Sequence, residues 1–187
     1  MIKYLDTTKR VFLMYKQLGE KAMAQLEDKE LVWQQNEDSN SIIVIVKHLW
    51  GNMLSRWTDF LTTDGEKPWR HRDTEFERDD VSRERMMQMW EEGWTCLFDA
   101  IDGIAANDLE RIIFIRNEGM PVIDAITRQV AHYSYHVGQI VYISKLRSKD
   151  TWASLSIPRN KSDEYNAVKF AQEKGNRNFT DDFTEKK

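Results

Sequence analysis

The chain has a single cysteine, Cys96, in 187 residues. One thiol excludes an intrachain disulfide and a cysteine-rich metal site. Long apolar runs are missing too. The longest aliphatic run is Ile42 to Val46, whereas a membrane-spanning helix needs about 20 apolar residues. The stretch Met1 to Lys21 has charges spread through it and lacks the apolar core of about 7–15 residues that marks a secretory signal. Neither sign of charge dominates: 27 basic and 31 acidic residues are well mixed and leave a net charge of -4. No positive field for non-specific nucleic-acid binding results. These absences lead us to expect a cytoplasmic protein with no membrane or nucleic-acid partner. There is no internal repeat.

What is present is helical periodicity. From about Ile2 to Leu26, the residues Leu5, Val11, Phe12, Tyr15, Leu18, Met23 and Leu26 recur at helical spacing, broken only by Gly19. Asp28 to Asn40 reads as a linker or a short helical turn. Asn40 or Ser41 is positioned to cap a second helix running to about Leu61. Its buried face is expected to hold Val46, Leu49, Trp50, Met53, Trp57 and Phe60. The β-branched residues Ile42 to Val46 favour a strand locally, but the following HLWGNMLSRWTDFL has helical spacing and no hairpin signal. Thr62 to Asp80 reads as a long irregular connection pinned by Trp69 and Phe76. A third helix is predicted from Ser82 to the Gly103 region, with Met86, Met89, Trp90, Leu97 and Ile101 on its apolar stripe. Leu109 to Ile115 is an extended segment or hairpin arm, and Pro121 opens a last long helix to about Leu146.

Four long helices joined by unequal connections predict an all-α helical bundle. We expect it to form one domain over residues 1–150. Residues 151–187 are expected as a C-terminal extension packing on the bundle through Trp152, Leu155 and Ile157. A short helix lies within Asp163 to Lys174, and the polar stretch from Gly175 is expected to end in a mobile tail, although Phe179 and Phe183 can dock.

Three of the four histidines carry the functional signal. His132 and His136 form an H-x3-H pair, and four residues of α-helix turn through only about 40°, so both side chains leave one face. Gln129 and Gln139 share that strip. His48 belongs to the second helix, more than eighty residues earlier. Such histidines are either hydrogen-bonded structural residues or, if the fold brings them together, ligands for a divalent metal with open positions left over. No H-E-x-x-H supplies a neighbouring general base. A metal so held can activate water, giving a hydrolase, or favour a thiolate, giving a transferase. Imidazole ligands suit zinc or nickel first and leave iron and manganese open.

The segments VKHLWGNMLSRW, around His48, and QVAHYSYHVGQIVYISK, around His132 and His136, resemble the DinB-like superfamily, which includes bacillithiol and mycothiol transferases. The resemblance covers about residues 1 to 150. SIPRNKSDEYN looks like the C-terminal extension of one branch of that superfamily. It implies an up-down-down-up four-helix bundle, often dimeric, in which His48, His132 and His136 bind the metal. It also implies transfer of a low-molecular-weight thiol such as bacillithiol to a small electrophile. The competing functions are a metal-dependent hydrolase and a non-catalytic metal-binding bundle. A homodimer is expected, its interface supplied by surplus aromatic and methionine side chains.

Other residues carry weaker expectations. His71 reads as a surface histidine and Cys96 as a packed small side chain. Trp50, Trp57, Trp90 and Trp94 belong to helix packing, whereas Trp33, Trp69 and Trp152 are placed to line a pocket mouth. Asn52 and Arg56 follow His48 on roughly its face, either supporting the site or exposed. Tyr133 and Tyr135 point away from the histidine pair.

Overall fold

The computed structural model describes residues 2–77 and 80–184. Four long helices dominate it: α1 (Ile2–Met23), α2 (Ile42–Trp57), α3 (Arg83–Asp102) and, after the hairpin of β1 (Ile112–Ile115) and β2 (Glu118–Pro121), α4 (Val122–Arg147). Serine caps start two of them, Ser41 Oγ accepting from the Val44 amide and Ser82 Oγ from the Arg85 amide. The β-branched opening of α2 is helical because tertiary burial overrides local preference: all five residues from Ile42 to Val46 are buried. α1 stops at Met23 and α2 at Trp57, each a few residues short of the predicted end. The chain leaves α2 through extended Thr58 and left-handed Asp59, φ 49°.

Side-chain contacts fix the helix directions. Tyr4 donates to the Ile123 carbonyl at 3.1 Å, and further along both helices Phe12 packs on Tyr133, so α1 and α4 run parallel. Lys9 pairs with Asp102, Phe12 packs on Trp94 and Glu20 accepts from Trp90, so α3 runs against α1. Trp50 reaches Glu92 and Thr58 reaches Cys96, so α2 runs with α3. The arrangement is up-down-down-up, the bundle predicted.

Phe12, Trp57, Trp94 and Tyr133 form the centre of the core, with Phe12 5.8–6.3 Å from the other three rings in mostly edge-on and tilted geometries. Gly19, the break in the first helical pattern, lies under Trp90: a Cβ there would stand 2.7 Å from the indole. The predicted stripe of α3 is buried at Met86, Met89, Trp90, Leu97 and Ile101.

The connection between α2 and α3 is ordered chiefly by polar contacts, and of the two predicted aromatic pins only Phe76 lies half-buried, against His48. Trp69 is 52% exposed and does not pin it, while Gly65, Lys67 and Glu75 are buried. Asp64 does the anchoring. Its carboxylate accepts from the backbone amides of Glu66, Arg116 and Asn117 at 2.7–2.8 Å, and the Gly65 amide donates to Phe114 O. Arg116 and Asn117, at φ 56° and 60°, are the two positive-φ residues of the hairpin turn. No helix among the described residues is long and apolar enough to cross a membrane.

Beyond α4, Ala153 exchanges two hydrogen bonds with Gln25, and Trp152 and Leu155 pack against the core. Ile157 stays 38% exposed, against expectation. A short helix, α5 (Ser162–Phe170), leaves Phe170 in solvent, and a 3-10 turn at Phe179–Asp182 buries Thr180. Phe179 is exposed and Phe183 partly buried. The last residues of the expected mobile tail, 185–187, lie outside the described residues.

Burial pushes the Asp64 carboxyl up, but its three backbone donors outweigh that and hold its pKa below the ordinary 3.8. A depressed folded-state pKa stabilises above the unfolded value and is lost as pH falls through the folded one. Asp64→Asn is therefore expected to lower unfolding stability by about 1 kcal/mol at pH 7, discounted for partial exposure. Urea denaturation should show the difference shrinking below about pH 4; a gap constant with pH would contradict this account.

Candidate metal centre

The site is built where α2 and α4 are locked in register. Tyr133, fully buried, accepts a hydrogen bond from Trp57 Nε1 at 2.9 Å and donates to Asn52 Oδ1 at 3.0 Å. Burial pushes the Tyr133 phenol well above its ordinary pKa, so it stays a neutral donor. With α2 held there, His48 stands level with His132 and His136, which share one face of α4.

The three rings meet through their Nε2 atoms. His132 Nε2 lies 3.2 Å from His48 Nε2 and 3.1 Å from His136 Nε2. One ligand atom from each of the three falls within 4.8 Å of the others. The remaining nitrogens set the tautomers. His48 Nδ1 is 2.9 Å from Glu75 Oε2, a pure acceptor, so Nδ1 carries the proton. His136 Nδ1 is 2.8 Å from Gln139 Oε1, and with the amide oriented so, its Nε2 donating to Tyr135 OH, His136 Nδ1 carries the proton too. Two Nε2 lone pairs thus face His132 Nε2, which can donate to only one of them. A lone pair is left unanswered among the three rings, a place that a cation would fill.

Both separations from His132 fit one. Two nitrogens each about 2.0–2.1 Å from a zinc-class ion stand about 2.9 Å apart at a right angle and about 3.4 Å at the tetrahedral angle. The observed 3.1 and 3.2 Å fall between. The donors are also in ligating form. Burial, then the neighbouring imidazoles, lowers His132 to about 3, with Arg56 and Arg70 adding to the effect. Burial and His48 lower His136 to about 4.

The connection supplies the surroundings. The 3-10 turn Arg72–Phe76 delivers Glu75 to His48 Nδ1 and lays the Phe76 ring 5.1 Å from the imidazole. Arg70 grips Glu75 through Nε–Oε1 at 2.8 Å and Nη2–Oε2 at 3.0 Å. Burial alone pushes the Glu75 carboxyl up; the hydrogen bonds from His48 and Arg70 bring it below its ordinary value. Sequence reasoning missed Glu75 and Arg70, because a charge-dense irregular stretch has no periodicity to single out one carboxylate.

Other predicted residues take different places. Asn52 serves the Tyr133 lock. Arg56 is buried and braces the connection through the Gly65 carbonyl and Glu66. Gln129 is buried in α4. His71 is exposed, as expected, and Cys96 is partly buried with its thiol pushed up by burial. Trp33 lines a cleft of about 650 Å³ with Ile45, Tyr135, Gln139 and Tyr142, which reaches the Nδ1 side of His136 through Gln139.

A family model described as "Protein of unknown function (DUF1572)" matches residues 1–161. The chain belongs to this family. DUF1572 lies in the DinB-like structural clan, in agreement with the bundle and with the order of the histidine-bearing helices. All three histidines and Glu75 fall inside the matched region of this DUF1572 chain, which also runs into the extension. No curated protein matches the chain closely enough to lend it an activity.

The register lock makes its own prediction. Tyr133→Phe leaves Trp57 Nε1 and Asn52 Oδ1 buried without their partner, at about 1–3 kcal/mol each. A loss of roughly 2–4 kcal/mol is expected in urea denaturation. A loss under about 0.5 kcal/mol would show that the lock does not hold the helices.

Proposed function

We propose that this DUF1572 protein is a divalent-metal-dependent enzyme that transfers a low-molecular-weight thiol, such as bacillithiol, to a small electrophile. The observation that carries the metal reading is the convergence of the Nε2 atoms of His48, His132 and His136, with two Nδ1 protons already engaged. Zinc or nickel suits the imidazole set best, with iron or manganese next. Such an ion supplies positive charge that favours the thiolate of a sulfur nucleophile at neutral pH.

The chain's own residues support the thiol reading in three ways. Neutral His132 and His136 keep their lone pairs free at physiological pH and remain partly exposed, so a small molecule can approach. Burial raises the pKa of the lone cysteine, which makes it a poor source of thiolate, so in this reading a co-substrate supplies the sulfur. The aromatic cleft beside Gln139 suits an apolar electrophile. The type of reaction comes from the DinB-like resemblance.

We read the unit as a bundle over residues 1–150 with residues 151–187 packed on it, working in the cytoplasm as a homodimer. The dimer comes from the DinB-like resemblance, in which the bundles often pair. Sedimentation equilibrium should give twice 22.2 kDa; a monomer mass at all concentrations would reject the dimer.

Metal analysis after anaerobic purification, followed by thiol-consumption assays with and without chelator, tests the reaction. Turnover is expected to need both metal and thiol, and to fall at least about 100-fold in His48→Ala, His132→Ala and His136→Ala. Metal at about 1,000 times its Kd should add about 4 kcal/mol of stability to the wild type and none to these variants. Metal-free turnover indifferent to the three substitutions would overturn the proposal. So would oxygen-18 incorporation from water with no thiol requirement, which marks a hydrolase.

A further inference from the structure

Gly51 is the one glycine of α2, three residues after His48. Glycine in a helix interior costs about 1 kcal/mol against alanine, and the reason for it lies on the opposing connection. A Cβ on Gly51 would stand 2.3 Å from Glu75 Oε1 and 2.8 Å from its Cδ. The missing side chain is the notch in which the carboxylate sits.

Three features converge on that carboxylate. Gly51 opens the space, Arg70 takes both oxygens, and His48 Nδ1 donates to Oε2. The side chains of His48, Arg70 and Glu75 are 8%, 2% and 10% exposed. Burying an ion pair this completely is often no better for stability than apolar packing of the same volume, so stability alone gives little reason for it here. The two outer partners also differ. His136 leans on the neutral amide of Gln139, from its own helix, whereas His48 has a charged partner imported from another element.

We infer that Glu75 is a positioning residue for metal binding: through His48 Nδ1 it fixes the ring and strengthens Nε2 as a donor, with Arg70 and Gly51 holding it in place. The inference rests on the metal reading above. A carboxylate behind a ligating imidazole sets its tautomer and raises its basicity, and losing one weakens metal binding by about 10–100-fold. With one oxygen held by Arg70 and the other shared between Arg70 and His48, Glu75 is a support and not a free base.

The test uses the full chain and Zn²⁺ in competition with a chromophoric chelator. Glu75→Gln is expected to bind Zn²⁺ about 10–100-fold more weakly than wild type. Gly51→Ala removes no charge and no hydrogen-bonding group but displaces Glu75, and is expected to weaken binding in the same direction. Thermal melts of the metal-free variants separate lost affinity from lost fold. Side-chain ¹⁵N spectra of the metal-free wild type read the His48 tautomer directly, with a single Nδ1–H form expected. Unchanged Zn²⁺ affinity in both folded variants, or a mixture of His48 tautomers in the wild type, overturns the role of Glu75 and leaves the metal reading standing. A wild type that binds neither Zn²⁺ nor Ni²⁺ overturns the metal reading itself, and with it the role of Glu75.

Discussion

The Tyr133 hydroxyl, shut away from water and shared between Trp57 and Asn52, determines where α2 stands along α4. Apolar packing alone tolerates small slips of one helix along another, because dispersion is additive and weakly directional. A buried hydroxyl with a donor on one side and an acceptor on the other is not so tolerant: a slip leaves buried groups unpaired. The ring is also part of the aromatic cluster around Phe12, so the same residue ties α1 into that register. A shift of one helical turn, about 5.4 Å, would carry His48 past both histidines of α4. The convergence of the three histidines depends on this lock.

Around it the molecule uses two different materials. The bundle interior is aliphatic and aromatic, packed from Phe12 through Trp94 to Ile140. The long connection is held by charge: Asp64 on backbone amides, Arg56 on the Gly65 carbonyl and Glu66, and Arg70 on Glu75. A segment without regular structure has many backbone groups to satisfy and few apolar side chains to bury. Carboxylates and guanidinium groups, with several directional bonds each, suit that task better than a tryptophan does. That is why Trp69 lies outside and Glu75 inside.

The same division explains what was legible in the sequence. Helix existence, caps and faces follow from period and from Ser41 and Ser82, and the stripe from Met86 to Ile101 could be read directly because one face had to be apolar. Ile42 to Val46 were ambiguous in isolation, since five buried aliphatic residues look alike in a strand and in a covered helix. The H-x3-H pair placed two histidines on one face by geometry alone, but bringing His48 to them required tertiary information that entered through the family resemblance. Glu75 left no trace. Its neighbours are charged, its secondary structure is a short 3-10 turn, and its role depends on a partner 27 residues away. Gly51 was the nearest thing to a signal. Inside a helix a glycine asks what approaches the backbone, and only the fold answers.

The three histidines and the residues behind them therefore come from parts of the chain with different tolerances. His48, His132 and His136 stand on helices whose spacing the core controls, so moving any of them would disturb the packing of that core. Glu75, Arg70 and Phe76 stand on a connection anchored at a few polar points, which can change length and sequence with little cost to the bundle. A protein so built can keep one three-histidine centre while altering the electrostatics behind His48 and the approach to it. Within the DinB-like clan, diversity of chemistry is then expected to track the connection between the second and third long helices more closely than the core. In this chain the connection presents one carboxylate, and the missing side chain at Gly51 leaves α2 the space for it.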